Sequence, residues 1–378
     1  MREAWHRNDE KIYVIPQNLS STEITNHKTI ARKGTFSCPY CEAKLIVKSG
    51  DIHGNYFSHL HGEGCEMSKQ SEKRYTRYEK QKKQDTPRHP QILSLMNDEL
   101  RVLSRVYPNL ITSYGYLDVN LDRYIPDISL KISEHKYAIT IITNINQASD
   151  AAIVKSINKQ KKYYESIGYE PLFFVERNHL GVDTDGQSLV LWLTEYEALT
   201  VQHATVSWQQ HLNSLAPTND YQHILKISST DLNVKSILYI TPANEEIAIE
   251  AFHVLEQPNT RPQKAYFLSD PYKLSISEAF KLDKDSLLLA NLSIESENQN
   301  KFEERFSEMK AKWIAQQIEA EQIEKEKKVI AEQKELERRI KIREQLTAFR
   351  EKASTSSYAN SDIETRLAML KRVYETNN

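Results

Sequence analysis

The chain has 378 residues, with 50 Lys and Arg against 52 Asp and Glu, a formal charge of -2 and a pI near 6.7. These values exclude a global basic field, so any affinity for nucleic acid has to come from local patches. The length predicts two or more folding units, and the lack of a signal-peptide pattern or an apolar run of about 18 residues predicts a cytoplasmic protein that crosses no membrane.

The first predicted unit, 1–70, carries strand candidates at 11–15 and 44–48 and all three cysteines of the chain: Cys38-Pro39-Tyr40-Cys41, then Cys65 six residues after His59. A Cys-x2-Cys knuckle places two thiolates on one tight turn, and His59 with Cys65 completes the Cys3His set that structural Zn2+ prefers. His61 offers a second acceptable spacing. Five of the nine glycines, Gly34, Gly50, Gly54, Gly62 and Gly64, lie in the same window, where a small metal-held loop needs backbone freedom. The metal would replace a core that so short a segment cannot build alone.

From 69 to 105 there are ten Lys or Arg against five acids. The run 72–83 predicts a basic helix that is either a solvated charged face or a nucleic-acid contact, on which Lys73, Arg74, Arg77 and Lys80 would face phosphates while Tyr75 and Tyr78 stack on bases. Arg88-His89-Pro90 opens a second helix with Ile92, Leu93, Leu95, Met96, Leu100 and Leu103 at helical spacing. Strands are predicted at 110–119, 124–132 and 137–144, then a helix at 151–166 carrying Lys155, Lys159 and Lys162 and ending at Gly168. Strands at 170–176 and 188–193 complete an α/β unit over 71–200. A further small α/β region is predicted at 201–295, with strand 236–241, helix 245–255 and strand 264–269; His223 and His253 in it read as structural. From 301 to 352 there are fourteen Lys or Arg, twelve Glu, no Gly and no Pro, which predicts a long helix over 296–352, its 52 most charged residues about 75 Å long. Phe302, Phe306, Met309 and Trp313 form an apolar seam on it, expected to be covered by a second copy in a coiled coil or by a partner protein, the alternative being a helix docked on the chain's own body. The remainder, 353–378, reads as a flexible break followed by a short amphipathic helix with Ile363, Leu367, Leu370 and Val373.

Arg123-Tyr124-Ile125-Pro126-Asp127, followed by Tyr137-Ala138-Ile139-Thr140-Ile141-Ile142-Thr143-Asn144, with the knuckle ahead and Tyr163-Tyr164-Glu165-Ser166-Ile167-Gly168-Tyr169 behind, resembles the competence protein CoiA-like family over roughly residues 37–193. The resemblance implies a zinc module fused to a PD-(D/E)XK restriction-endonuclease-like α/β core, in a setting of DNA uptake and recombination or of defence against phage or plasmid. In that family a Pro-Asp strand precedes a strand bearing Glu-x-Gln-x-Ser. Two carboxylates on adjacent strands hold Mg2+ there, and the Gln or a Lys orients the attacking water. This chain keeps Asp127 as a remnant but has Thr140, Ile142 and Asn144 at the other three positions.

Glu134 and Lys136 spell a substitute Glu-x-Lys, although seven residues after Asp127 scarcely allow a strand to turn and return. Glu79 or Glu99 could instead reach in from a helix. The expectation is therefore a degenerate nuclease fold that binds DNA weakly by itself, with Zn2+ as structural cofactor and Mg2+ only if cleavage survives. The alternatives are an active endonuclease with relocated ligands and an oligomerising scaffold without nucleic acid.

Overall fold

The computed structural model describes residues 1–354 except 18, 52–53, 62–63, 178–179, 229–230 and 244–245; beyond 354 it describes only 364–366, 368 and 372. Residues 1–306 form one compact unit and 307–378 a second.

The N-terminal module starts with β1 (Glu3–His6), β2 (Lys11–Val14), α1 (Ser21–Arg32) and β3 (Phe36–Ser37), in a sheet ordered β2-β1-β3. The hairpin of β4 (Leu45–Gly50) and β5 (Gly54–His59) follows. Ser20 and Glu23 form a reciprocal capping box that starts α1. The core is thin: Ala4, Ile15, Ala31, Phe36, Leu45, Val47 and Phe57 fill most of it, with Cys38 beside them. So few apolar side chains leave the module in need of another constraint.

Helices α2 (Glu66–Lys82) and α3 (His89–Val106) lead into a large mixed sheet. Its first strands, β6 (Leu110–Tyr114), β7 (Ile128–Ile132) and β8 (His135–Ile142), form an antiparallel meander. Helix α4 (Asp150–Ser166) then returns the chain to β9 (Glu170–Glu176), which pairs parallel to β8. Gly168, at φ 77°, supplies the left-handed residue after α4. Strand β9 shows why the sheet is covered on both sides: Leu172 and Phe174 join the core under α3, while Phe173 and Val175 join the core under α4.

The sheet continues beyond this unit. After β10 (Gly181–Val182), β11 (Ser188–Leu191), α5 (Leu193–Glu197), α6 (His203–Leu215) and α7 (Thr218–Leu225) come β12 (Val234–Ala243), β13 (Glu246–Gln257), β14 (Gln263–Phe267), β15 (Tyr272–Ser275) and α8 (Ile276–Ala279). Among the described residues ten strands form one sheet, ordered β10-β11-β14-β13-β12-β9-β8-β7-β6, with β15 also on β13. The 201–295 region thus adds strands to the sheet of the preceding unit. Where a helix is expected at 245–255, the described residues from 246 on form a strand. Residues 249–255 are buried on both faces of β13, which removes the polar alternation that marks a half-buried strand and leaves spacing that also fits a helix. The strand expected from 110 stops at Tyr114 because the chain turns at Gly115, and the strand expected from 124 starts only at Ile128.

Helix α9 (Leu292–Ser354) is longer than expected and starts inside the first unit. There Phe302 lies edge-on to Trp208 at 5.8 Å and Phe306 stacks on Tyr221 at 4.7 Å. Half of the anticipated seam is therefore covered by the chain's own α6 and α7. Large aromatic side chains near the helix start bury against the nearest apolar surface, and α6 and α7 present it. In the second unit α9 runs on with Ile314, Ile318, Ile323, Val329, Ile330, Leu336 and Ile340 exposed, at spacings that follow no single stripe. The break expected from 353 starts within this helix; residues 355–357 and Ile363, Leu367, Leu370 and Val373 lie outside the described residues.

Candidate functional site

Four side chains from three places in the chain converge in the N-terminal module. Cys38 and Cys41 lie on the turn after β3, where the Glu42 N–H donates to the Cys38 carbonyl at 2.9 Å and Glu42 takes a φ of 60°. His59 ends β5, and Cys65 is the N-cap of α2. Their ligand atoms all lie within 4.8 Å of one another, with Cys38 Sγ 3.8 Å from Cys65 Sγ and Cys41 Sγ 3.2 Å from His59 Nε2. A tetrahedron with Zn–S bonds of about 2.3 Å has S···S edges of about 3.8 Å, so the donor set fits the ion in number, type and spacing. His59, not the exposed His61, belongs to this group. Burial pushes the Cys38 thiol up to about 12; a bound dication would supply the charge that holds it as thiolate. All four positions are protein ligands, which suits a structural ion and leaves no place for a reacting water.

Asp127 is built into a second cluster. Gly115 places it: a Cβ on that residue would lie 2.1 Å from the Pro126 carbonyl oxygen, and the Gly115 N–H donates to the Asp127 carbonyl at 3.0 Å. This close approach sets Asp127 at the head of β7, opposite Thr140 of β8, since Ile128 pairs with Ile139. The carboxylate is buried and each oxygen has two donors. Oδ1 accepts from the Tyr78 hydroxyl at 2.7 Å and from His89 Nε2 at 2.8 Å. Oδ2 accepts from the Ile141 N–H at 2.6 Å and from Lys82 Nζ at 2.7 Å. Burial opposes ionisation, but Lys82 and His89 outweigh it and hold the Asp127 carboxyl well below the usual range. Burial likewise works against the Lys82 charge, yet Asp127 and Asp85 raise its ammonium above its ordinary value. A carboxylate has about four lone-pair sites, and here all are used.

The other residues expected at this centre lie elsewhere. Glu134 is exposed in the turn between β7 and β8, five or more residues along the hairpin from Asp127, a separation of about 16 Å at about 3.3 Å per residue. Lys136 packs over the Tyr169 ring at 5.7 Å. Glu79 and Glu99 are exposed on α2 and α3. The acid that comes closest in role is Asp85, 3.4 Å from Lys82 Nζ and 3.5 Å from His89 Nε2. Mg2+ therefore does not fit: Thr140 is neutral, Asp127 has no free lone pair, and an ammonium lies between the two acids.

Of the expected nucleic-acid contacts, Lys73, Arg77 and Lys80 on α2 and Lys155, Lys159 and Lys162 on α4 are exposed. Arg74 and Tyr78 are not available to a ligand. Arg74 is buried with its Nε donating to the Tyr116 carbonyl at 2.8 Å, and Tyr78 is spent on Asp127. Tyr75 is half-buried, edge-on to Tyr116 at 5.0 Å with Arg2 over its ring at 5.3 Å. Tyr75 and Tyr78 face a cleft of about 740 Å3 that α2, α3 and Pro16 line. Sequence reasoning passed over Lys82, Asp85 and His89. The available signal was their spacing after Tyr78, which keeps to one side of a helical path and puts charge beside a buried ring.

The fold is mixed α/β, and its N-terminal module carries a Cys3His cluster compatible with a zinc ion. Residues 17–68, which contain all four of those ligands, match the family model of the competence protein CoiA, N-terminal domain. Neither the curated proteins nor the solved structures compared with the chain give a match.

Proposed function

We propose that this chain is a DNA-binding component of a bacterial DNA-processing system, built on a PD-(D/E)XK nuclease-like core that has lost cleavage, with a structural Zn2+ in its N-terminal module. Support for the nuclease-like core comes from the order helix, antiparallel meander, helix, parallel strand, with Asp127 opposite Thr140 at the strand pair where that fold carries its acids. Loss of cleavage rests on one observation above all: both Asp127 oxygens are filled by Tyr78, His89, Ile141 and Lys82. The match of residues 17–68 favours a role in competence-related DNA handling over defence. DNA contact would fall to Lys155, Lys159 and Lys162, which lie at i, i+4 and i+7 on one face of α4, with Lys73, Arg77 and Lys80 on α2. The exposed apolar residues of α9 beyond 307 are where a second copy or partner would dock.

Two assays test this reading. Duplex and single-stranded DNA incubated with Mg2+ or Mn2+ should remain intact; cleavage that vanishes in Asp127→Ala would refute the loss of catalysis. Affinity should fall with salt, and reversing Lys155, Lys159 and Lys162 to Glu should flatten the log–log slope by about 2 to 3, at about 0.9 for each duplex phosphate that is no longer neutralised. A slope indifferent to the reversal would remove α4 from the interface.

A further inference from the structure

The Asp127 cluster already contains a cation, and the chain supplies it. Lys82 Nζ has three oxygen neighbours: Asp127 Oδ2 at 2.7 Å, the Ile141 carbonyl at 2.9 Å and Asp85 Oδ2 at 3.4 Å. Of its three N–H donors, one serves Asp127 and one the Ile141 carbonyl, while Asp85 Oδ2 lies at ion-pair distance, buried and without a hydrogen bond of its own. The Lys82 side chain is only 13% exposed and that of Asp127 is 0%. His89 Nε2 closes the cluster from α3, within 2.8 Å of Asp127 and 3.5 Å of Asp85. Two carboxylates and a backbone carbonyl converging on one positive point are the oxygen set that a hard divalent cation takes.

We propose that Lys82 is the resident cation of this cluster, that it closes the cluster to Mg2+ and Mn2+, and that removing its ammonium opens a divalent-ion site made of Asp127, Asp85 and the Ile141 carbonyl. The likeness to a metal-holding nuclease rests on the reading above, but the exchange of cations rests on these distances alone and requires no DNA. A failure of DNA binding would leave it standing. The lysine arrives from α2, an element outside the meander, so it fixes α2 to β8 at the same time as it neutralises the acids. A divalent ion would have to displace an ammonium held by Asp127, the Ile141 carbonyl and Asp85.

The test uses the full-length, zinc-loaded protein and Mn2+ as probe, read by the electron paramagnetic resonance of free Mn2+ and by thermal unfolding. Wild type should take up no Mn2+ that Asp127→Asn abolishes, and its Tm should not move with Mn2+. Lys82→Met should unfold at lower temperature, bind one Mn2+ per chain and regain part of the lost Tm as Mn2+ is added. Lys82→Met/Asp127→Asn should lose both effects, and Lys82→Arg should behave as wild type towards Mn2+. Asp127-dependent Mn2+ binding by wild type would overturn the proposal. So would a folded Lys82→Met chain that ignores Mn2+, or one that stays unfolded when refolded in its presence.

Discussion

Replacing Asp127 with Ala removes one carboxylate and leaves four donors without their acceptor. Lys82 keeps Asp85 and the Ile141 carbonyl but loses its nearest counter-charge, and His89 keeps only Asp85 at 3.5 Å; Tyr78 and the Ile141 N–H lose theirs outright. Breaking a buried ion pair costs about 3–5 kcal/mol and each orphaned buried donor about 1–3 kcal/mol. Since the terms overlap within one network, the expected loss is about 4–6 kcal/mol at pH 7. That is a large part of the roughly 5–15 kcal/mol typical of a domain. Urea titration of zinc-loaded protein followed by circular dichroism measures it. The pH dependence adds a second signature. The folded Asp127 carboxyl titrates below its unfolded value of about 3.9, so its contribution is complete above that pH and is lost as pH falls towards the folded value. The Asp127 contribution to the difference between wild type and Asp127→Ala should shrink below about pH 4. A variant within about 1 kcal/mol of wild type at pH 7 would refute the reading of Asp127 as a structural hub and restore it as a candidate ligand.

Three further outcomes are expected. Elemental analysis of purified protein should find one zinc per chain, and Cys41→Ser or a strong chelator should unfold the N-terminal module, seen as protease cleavage confined to residues 1–70; protein without zinc, or a protease-resistant module in Cys41→Ser, would contradict the Cys3His assignment. Gly115→Ala should cost about 3 kcal/mol or more, because its Cβ would meet Pro126 backbone atoms at 2.1 and 2.8 Å that cannot yield cheaply; a near-neutral effect in the same urea assay would show that the turn can open. A chain ending at Lys312 should stay folded and keep its zinc, whereas one ending at Asn291 should be markedly destabilised, having lost Phe302, Phe306 and the Glu295 carboxylate that accepts from Trp208 at 2.6 Å and meets His253 at 2.7 Å. Equal thermal stability of the two would mean that the start of α9 is not part of the body.

By itself the sequence determined the features that depend on near neighbours. Cys38, Cys41, His59 and Cys65 are close along the chain, and a small metal-sized loop is the one local arrangement that uses them together. Helix α4 with its Gly168 terminus, strand β9 and the long α9 follow from periodicity and breakers that act within a few residues. Glu134 in the hairpin turn was also legible, since seven residues cannot carry a strand out and back. What only the tertiary structure decided depends on which surfaces meet. Residues 246–255 became a strand because β12 offered them a partner on one edge and 249–255 are buried on both faces, a choice that intrinsic propensity does not make. Phe302 and Phe306 turned inward because Trp208 and Tyr221 were there to receive them. Arg74, Tyr78 and Lys82 look like neighbouring members of one solvated basic run, yet the docking of α2 against β8 and the turn at Tyr116 drew those three inside and left Lys73, Arg77 and Lys80 in water. A charge run records only composition. Which of its charges finds a buried acid is settled by the acid's position across the fold, 45 residues away in the case of Lys82 and Asp127.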